Sequence, residues 1–173
     1  MLQGPLNPLR LTPGDTMLYY SKDSLVDRII AIKTWTYVSH IEIYVGYFEH
    51  EGQLGHWSVA SRNGIGVGFY KTRWDDLVCV REPRPDGNLN AAMRWFWTKA
   101  NGQGYDWKGL LCFSLAVKQG SHDKMFCSEF ATRFYRFFER PQFDNDWDAD
   151  RTPPMLYLTG RQMRTKWQIG PLH

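Results

Sequence analysis

The 173-residue sequence has no CxxC pair, no run of basic residues and no apolar stretch near the roughly 20 residues that a helix needs to cross a bilayer. Its three cysteines, Cys79, Cys112 and Cys127, are odd in number and widely spaced. That argues against a disulfide framework and against a standard zinc site, and it suits a reducing compartment. Lysine and arginine are scattered singly among acids for a net charge of +3, so nothing marks a nucleic-acid-binding surface. The N-terminus, Met1 to Arg10, lacks the basic start and apolar run of a secretory leader. A soluble, unprocessed chain with no transmembrane segment, cytoplasmic or virion-associated, is the expectation.

Aromatic residues are abundant at 16% of the chain, within a hydrophobic fraction of 43%, which predicts a folded aromatic core rather than disorder. The length suits a single domain over 1–173, with its core at about 13–158 and a tail at each end. Thr16 to Tyr20 reads as a first strand and residues 25–35 as a helix capped from Ser21–Ser24. Val38 to Val45 alternates strictly and is rich in β-branched residues, the strongest strand signal present. Gly46 to Gly55 reads as a loop, with Trp57 to Ala60 returning antiparallel. A hairpin centred near Glu49 would set His40 across from Ser58–Ala60 and bring Ser58 or Ser61 near its ring.

Asn63-Gly64-Ile65-Gly66-Val67-Gly68 lacks the spacing of a phosphate loop and predicts a tight turn into another strand. Leu77 to Arg81 completes a sheet, and a helix capped by Asn88 or Asn90 runs from Ala91 to about Ala100. Residues 109–117, with Cys112, fit a buried helix. The aspartates Asp144, Asp146, Asp148 and Asp150 are spaced like half a calcium loop but lack its turn glycine and final glutamate, so no metal is expected. A short element starts at Thr152-Pro153-Pro154, and Trp167 to His173 reads as a tail.

Two stretches carry chemistry. Period two places His40 and Glu42 on one strand face, pointing the same way, although a solvated polar face is the commoner reason for such a pair. From Lys124 to Phe138, residues Phe126, Phe130, Ala131, Phe134, Phe137 and Phe138 form a helical stripe. With Asp123 or Ser121 as N-cap, Cys127 lies in the first turn, where unpaired N–H groups and the helix dipole favour a thiolate. An isolated cysteine is more often a small buried hydrophobe. A downstream helix-initial thiol combined with an upstream histidine and carboxylate is the set that nucleophilic catalysis needs.

Ser39-His40-Ile41-Glu42-Ile43-Tyr44-Val45-Gly46, Asn63-Gly64-Ile65-Gly66-Val67, Gly104-Tyr105-Asp106-Trp107-Lys108-Gly109-Leu110 and Phe126-Cys127-Ser128-Glu129-Phe130, in that order, resemble the circularly permuted branch of the NlpC-type papain-like cysteine hydrolases. That branch includes YiiX-type bacterial and bacteriophage proteins and is related to the lecithin:retinol acyltransferase group. The resemblance implies an α+β fold, papain-like with circularly permuted topology, in which a small antiparallel sheet or barrel packs against helices and the catalytic Cys starts a helix. It implies Cys127 as nucleophile and His40 as general base, with no cofactor or metal. The family's third residue, often Glu or His, lies on the strand after the His strand, which here offers His56, Ser58 and Ser61. Glu42, on the face of His40, is the preferred orienting group. The implied activity is cleavage or transfer at an amide or ester through an acyl-enzyme, on a cell-wall peptide or a lipid-like acyl compound. Trp35, Tyr37, Trp57 and Tyr105 could wall an acyl groove. The alternative is a non-catalytic structural or binding module, such as a phage virion component.

Overall fold

The computed structural model describes residues 10–20, 38–83, 87–108, 124–138, 149, 157 and 163–168. The expected helices at 25–35 and 109–117, with Cys112, lie outside these residues. So do Trp35, Tyr37, Ser121, Asp123, the four aspartates of the acidic loop and the element expected from Thr152.

Six strands form one antiparallel sheet in the spatial order β4-β3-β2-β1-β5-β6. They are β1 (Thr16–Tyr19), β2 (His40–His50), β3 (Gln53–Arg62), β4 (Gly66–Lys71), β5 (Leu77–Glu82) and β6 (Arg164–Gln168). Helix α1 (Leu89–Trp95) is capped by the side chain of Asn88, which accepts from the Ala91 N–H, and runs on into a π-helical turn at Phe96–Ala100. Helix α2 (Cys127–Phe137) lies against α1 and across β2 and β3. The class is therefore α+β.

Both sheet faces are covered. Leu18, Ile41, Ile43, Val59 and Cys79 meet Ala92, Phe96, Phe130, Ala131 and Phe134 of the helical layer. On the other face Met17, Tyr19, Tyr44, Leu77 and Val80 form a second apolar cluster with Leu11, against which Trp167 packs. The stripe expected on α2 is buried except for Phe137, which is exposed on one side and stacks on Trp95 with ring centroids 5.0 Å apart.

Two sequence expectations fail for identifiable reasons. Gly46 to Gly55 is not a loop, because both glycines sit inside strands: Gly46, at φ +144°, occupies a bulge between Tyr44 and Gly46, and Gly55 pairs with Phe48. The hairpin turns on Glu51-Gly52, whose φ values of 50° and 75° are those of a two-residue turn matched to strand twist, rather than near Glu49. Trp167 and Gln168, read as the start of a tail, are the last two residues of β6, a polar strand without apolar alternation that pairs with β5 and is tied down by Lys166 to the buried Asp15 at 2.8 Å.

The glycine-rich turn has a packing role. Gly66 has φ +104°, and a Cβ there would lie 2.2 Å from the Gln103 carbonyl oxygen. This close approach lets Val67 N–H donate to Gln103 O (2.7 Å) and Gly102 N–H to Val67 O (2.9 Å). The same segment bridges onward, with Met125 N–H donating to Gly104 O at 3.1 Å just before α2 begins. Gly66→Ala should therefore cost about 3 kcal/mol or more in chemical denaturation, from backbone strain plus the clash. Gly64→Ala, at φ +75° with nothing within 4 Å, should cost only about 1–2 kcal/mol.

Candidate active site

His40 opens β2, and the pleat sets Glu42 on its side of the strand. On β1, Tyr19 pairs with His40 and Met17 with Glu42, so their side chains share that face. On β3 the pairs Ile43 with Val59 and Tyr44 with Ser58, continued toward the start of β2, bring Arg62 beside His40 and Glu42. His40 Nε2 lies 3.2 Å from Glu42 Oε1. Cys127 also acts on the imidazole, by hydrogen bonding and by charge. With Nε2 on the carboxylate, Nδ1 is the ring atom left for the thiol.

Cys127 is the first residue of α2 and 2% exposed, and its Sγ–H donates to Ser39 O at 3.8 Å. The helix begins later than an Asp123 or Ser121 cap would require: the N-cap is Phe126, in extended conformation and without a side-chain cap. Buried Met125 and Phe126 anchor the entry instead, and the Met125 carbonyl accepts from Ser61 Oγ at 2.5 Å. The first-turn N–H groups of α2 have no intrahelical acceptor.

Glu42 is completely buried, which for a carboxylate demands counter-charge. Arg62 supplies it through Nε at 2.9 Å and a terminal guanidinium nitrogen at 2.8 Å, both on Oε1. Arg73 approaches the same oxygen at 3.5 Å, and Tyr19 O–H donates to Oε2 at 3.5 Å. Each arginine lies over a tyrosine ring, Arg62 on Tyr70 at 4.2 Å and Arg73 on Tyr19 at 4.8 Å. Burial pushes the Glu42 carboxyl upward, but His40 and the two arginines outweigh it and hold the group below its ordinary range. Burial likewise works against the charged form of His40, yet Cys127 and Glu42 together raise the ring from 6.5 to about 9.

The alternative orienting residues bond elsewhere. His56 Nδ1 meets Tyr44 O–H at 2.9 Å, and its ring packs against Tyr47 and Trp74. Ser58 Oγ is 2.7 Å from Thr72 Oγ1, and Ser61 Oγ is held by Met125 O. The hairpin register expected to set Ser58 opposite His40 was displaced by the turn at Glu51-Gly52. Trp57 is a core residue whose indole N–H donates to Phe48 O at 3.0 Å, and Tyr105 is buried against Trp107. Among the described residues, no group of three or more His, Cys, Asp or Glu could hold a metal ion.

Tyr19, Arg62 and Arg73 were not legible as site residues. The two-residue turn Glu51-Gly52 is the signal that would have delivered Arg62, because it fixes the β2–β3 register. No comparable signal marks Arg73, which lies in the connection after β4. No protein-family model matches the chain, and no curated protein matches it.

Two outcomes follow from these charges. Arg62→Met should destabilise the fold by about 3–5 kcal/mol, since it strands a buried carboxylate, and adding Glu42→Gln should recover much of that loss in urea unfolding at pH 6. His40, with its folded pKa raised, contributes stability that is complete below 6.5 and lost as pH rises through about 9. Glu42, with its folded pKa lowered from 4.5, contributes above that value and loses it in acid. Unfolding free energy should thus fall by about 2–3 kcal/mol between pH 6.5 and 9, a decline absent from His40→Ala.

Proposed function

We propose that this protein is a cysteine-dependent acyl hydrolase or acyltransferase with a permuted papain-like arrangement, in which Cys127 is the nucleophile, His40 the general acid–base and Glu42 the orienting carboxylate. The observation that carries the reading is a single histidine flanked by a buried, arginine-held carboxylate on one side and a helix-initial thiol on the other. The chain order, His strand before Cys helix, and an antiparallel sheet against helices accord with it.

The chemistry follows from the charges. The reacting form is imidazolium beside thiolate, reached when the thiol proton passes to the His40 ring, whose pKa the neighbouring groups raise. The thiolate sulfur attacks the carbonyl carbon of an amide or ester, and the carbonyl electron pair moves to oxygen, where the first-turn N–H groups of α2 are the available donors. Collapse expels the amine or alkoxide, which takes the proton from His40. Water, deprotonated by the now neutral imidazole, then cleaves the thioester and regenerates the thiol; an acceptor nucleophile in place of water gives transfer. Glu42 keeps the ring aligned and stabilises its charge throughout. The substrate class is a cell-wall peptide or an acyl lipid.

One observation favours the second reading, a non-catalytic binding module such as a virion component: Cys127 is 2% exposed. Turnover of an activated thioester separates the two. Cys127→Ala should reduce it to background, His40→Ala by about 1,000-fold and Glu42→Gln by about 10–100-fold with the fold retained. Iodoacetamide at neutral pH should label Cys127 and spare Cys79, whose thiol burial pushes up to about 11. No turnover by the parent protein, with Cys127 and Cys79 labelled equally slowly, would overturn the enzyme reading in favour of the binding module.

A further inference from the structure

The two arginines on Glu42 are not equivalent. Arg62 is committed: it bonds Oε1 through two nitrogens and donates to Lys71 O at 3.2 Å, with only 20% of its side chain exposed. Arg73 reaches the same oxygen only as an ion pair at 3.5 Å, from a side chain 42% exposed. Glu42 carries one negative charge, already matched by Arg62, while His40 holds its own proton with a pKa near 9. Arg73 is therefore the cation in excess, two short contacts from the imidazole. Asp75 and Asp76 follow it on the surface, and among the described residues neither forms an ion pair with it. On α2, Glu129 is paired with Arg133 at 2.6 Å and does not offset that charge.

A guanidinium has five N–H donors in a planar fork suited to a carboxylate, and the structure gives Arg73 no hydrogen bond to Glu42, only proximity. We propose that Arg73 is an anion-recognition residue, so that the substrate carries a carboxylate close to the carbonyl attacked by Cys127. The inference rests on the thiol chemistry proposed above and adds a substrate property to it. Arg62 keeps Glu42 charged and oriented, which leaves Arg73 able to turn toward a ligand without stranding the buried acid.

Alkylation of Cys127 by iodoacetate and by iodoacetamide tests this directly, because the two reagents differ chiefly in charge. At pH 7 and low ionic strength, the iodoacetate-to-iodoacetamide rate ratio of the intact protein should exceed that of N-acetylcysteine by about tenfold. Arg73→Met should lower the ratio about fivefold or more whatever its effect on the iodoacetamide rate, Arg73→Lys should retain most of the preference, and 0.5 M salt should flatten it. An equal ratio in wild type and Arg73→Met, including a parallel fall in both rates, overturns the role of Arg73. So does a wild-type ratio no higher than that of the free thiol. Efficient alkylation without anion preference removes only this inference, whereas failure of both reagents to modify Cys127 removes the active-site reading with it.

Discussion

A carboxylate with no exposed surface sits at the centre of this structure, and its charge dictates what surrounds it. Glu42 occupies a strand position that alternation would assign to solvent, yet the second apolar cluster of Met17, Tyr19, Tyr44, Leu77 and Val80 covers that face of the sheet. An isolated carboxylate in such a place would take up a proton. Arg62 from β3, Arg73 from the loop after β4 and His40 two residues back on its own strand keep it ionised. Replacing such a network by apolar residues is often neutral or stabilising. Its presence is therefore poorly accounted for by stability alone, and better by a need for fixed charge beside His40.

The thiol depends on a different set of contacts. The approach to α2 is held by a relay in which Gly66 admits Gln103, the neighbouring Gly104 carbonyl accepts from Met125, and the Met125 carbonyl accepts from Ser61. At the other end of the helix, Tyr135 O–H donates to Gly14 O at 2.7 Å and meets Thr16 Oγ1, tying α2 to the entry of β1. Between these anchors Phe130, Ala131 and Phe134 fill the sheet–helix interface. The position of Cys127 relative to Ser39 and His40 is thus a product of tertiary packing over long sequence separations. The His40–Glu42 pair, by contrast, is largely local.

That difference explains what the sequence could reveal. The histidine and glutamate were readable because strand period is a local property, and the helix carrying Cys127 was readable because its phenylalanines recur at helical spacing. The faces of β2 came out correctly; the burial of the polar one did not, since it requires knowing that β1 and β5 present apolar side chains there. Gly46 and Gly55 are loop signals in the sequence, yet a bulge and a strand pair use them, and the hairpin register that brings Arg62 to the site depends on that use. Asp123 and Ser121 are good caps and point to an earlier helix start, whereas buried Met125 and Phe126 decide where the chain turns. β6 gave no pattern to read: Arg164-Thr165-Lys166-Trp167-Gln168 is fixed by pairing with β5 and by charges on Asp15 and Glu82.

The local origin of one half of the site and the tertiary origin of the other have a chemical consequence. His40 and Glu42 lie on adjacent same-face positions of one strand, so any state that preserves the central strands preserves their alignment. The thiol joins them only when α2 is docked, and docking brings the sulfur to the Ser39 carbonyl and the imidazole edge together. Interaction with Cys127 is also a leading reason that the buried ring keeps its proton, ahead of the contribution from Glu42. Protonation of His40 and seating of the helix are therefore thermodynamically linked: whatever favours the imidazolium favours the docked helix, and whatever loosens the helix lowers the proton affinity of His40. The electrostatics that would make Cys127 a nucleophile also help to hold its helix against the sheet.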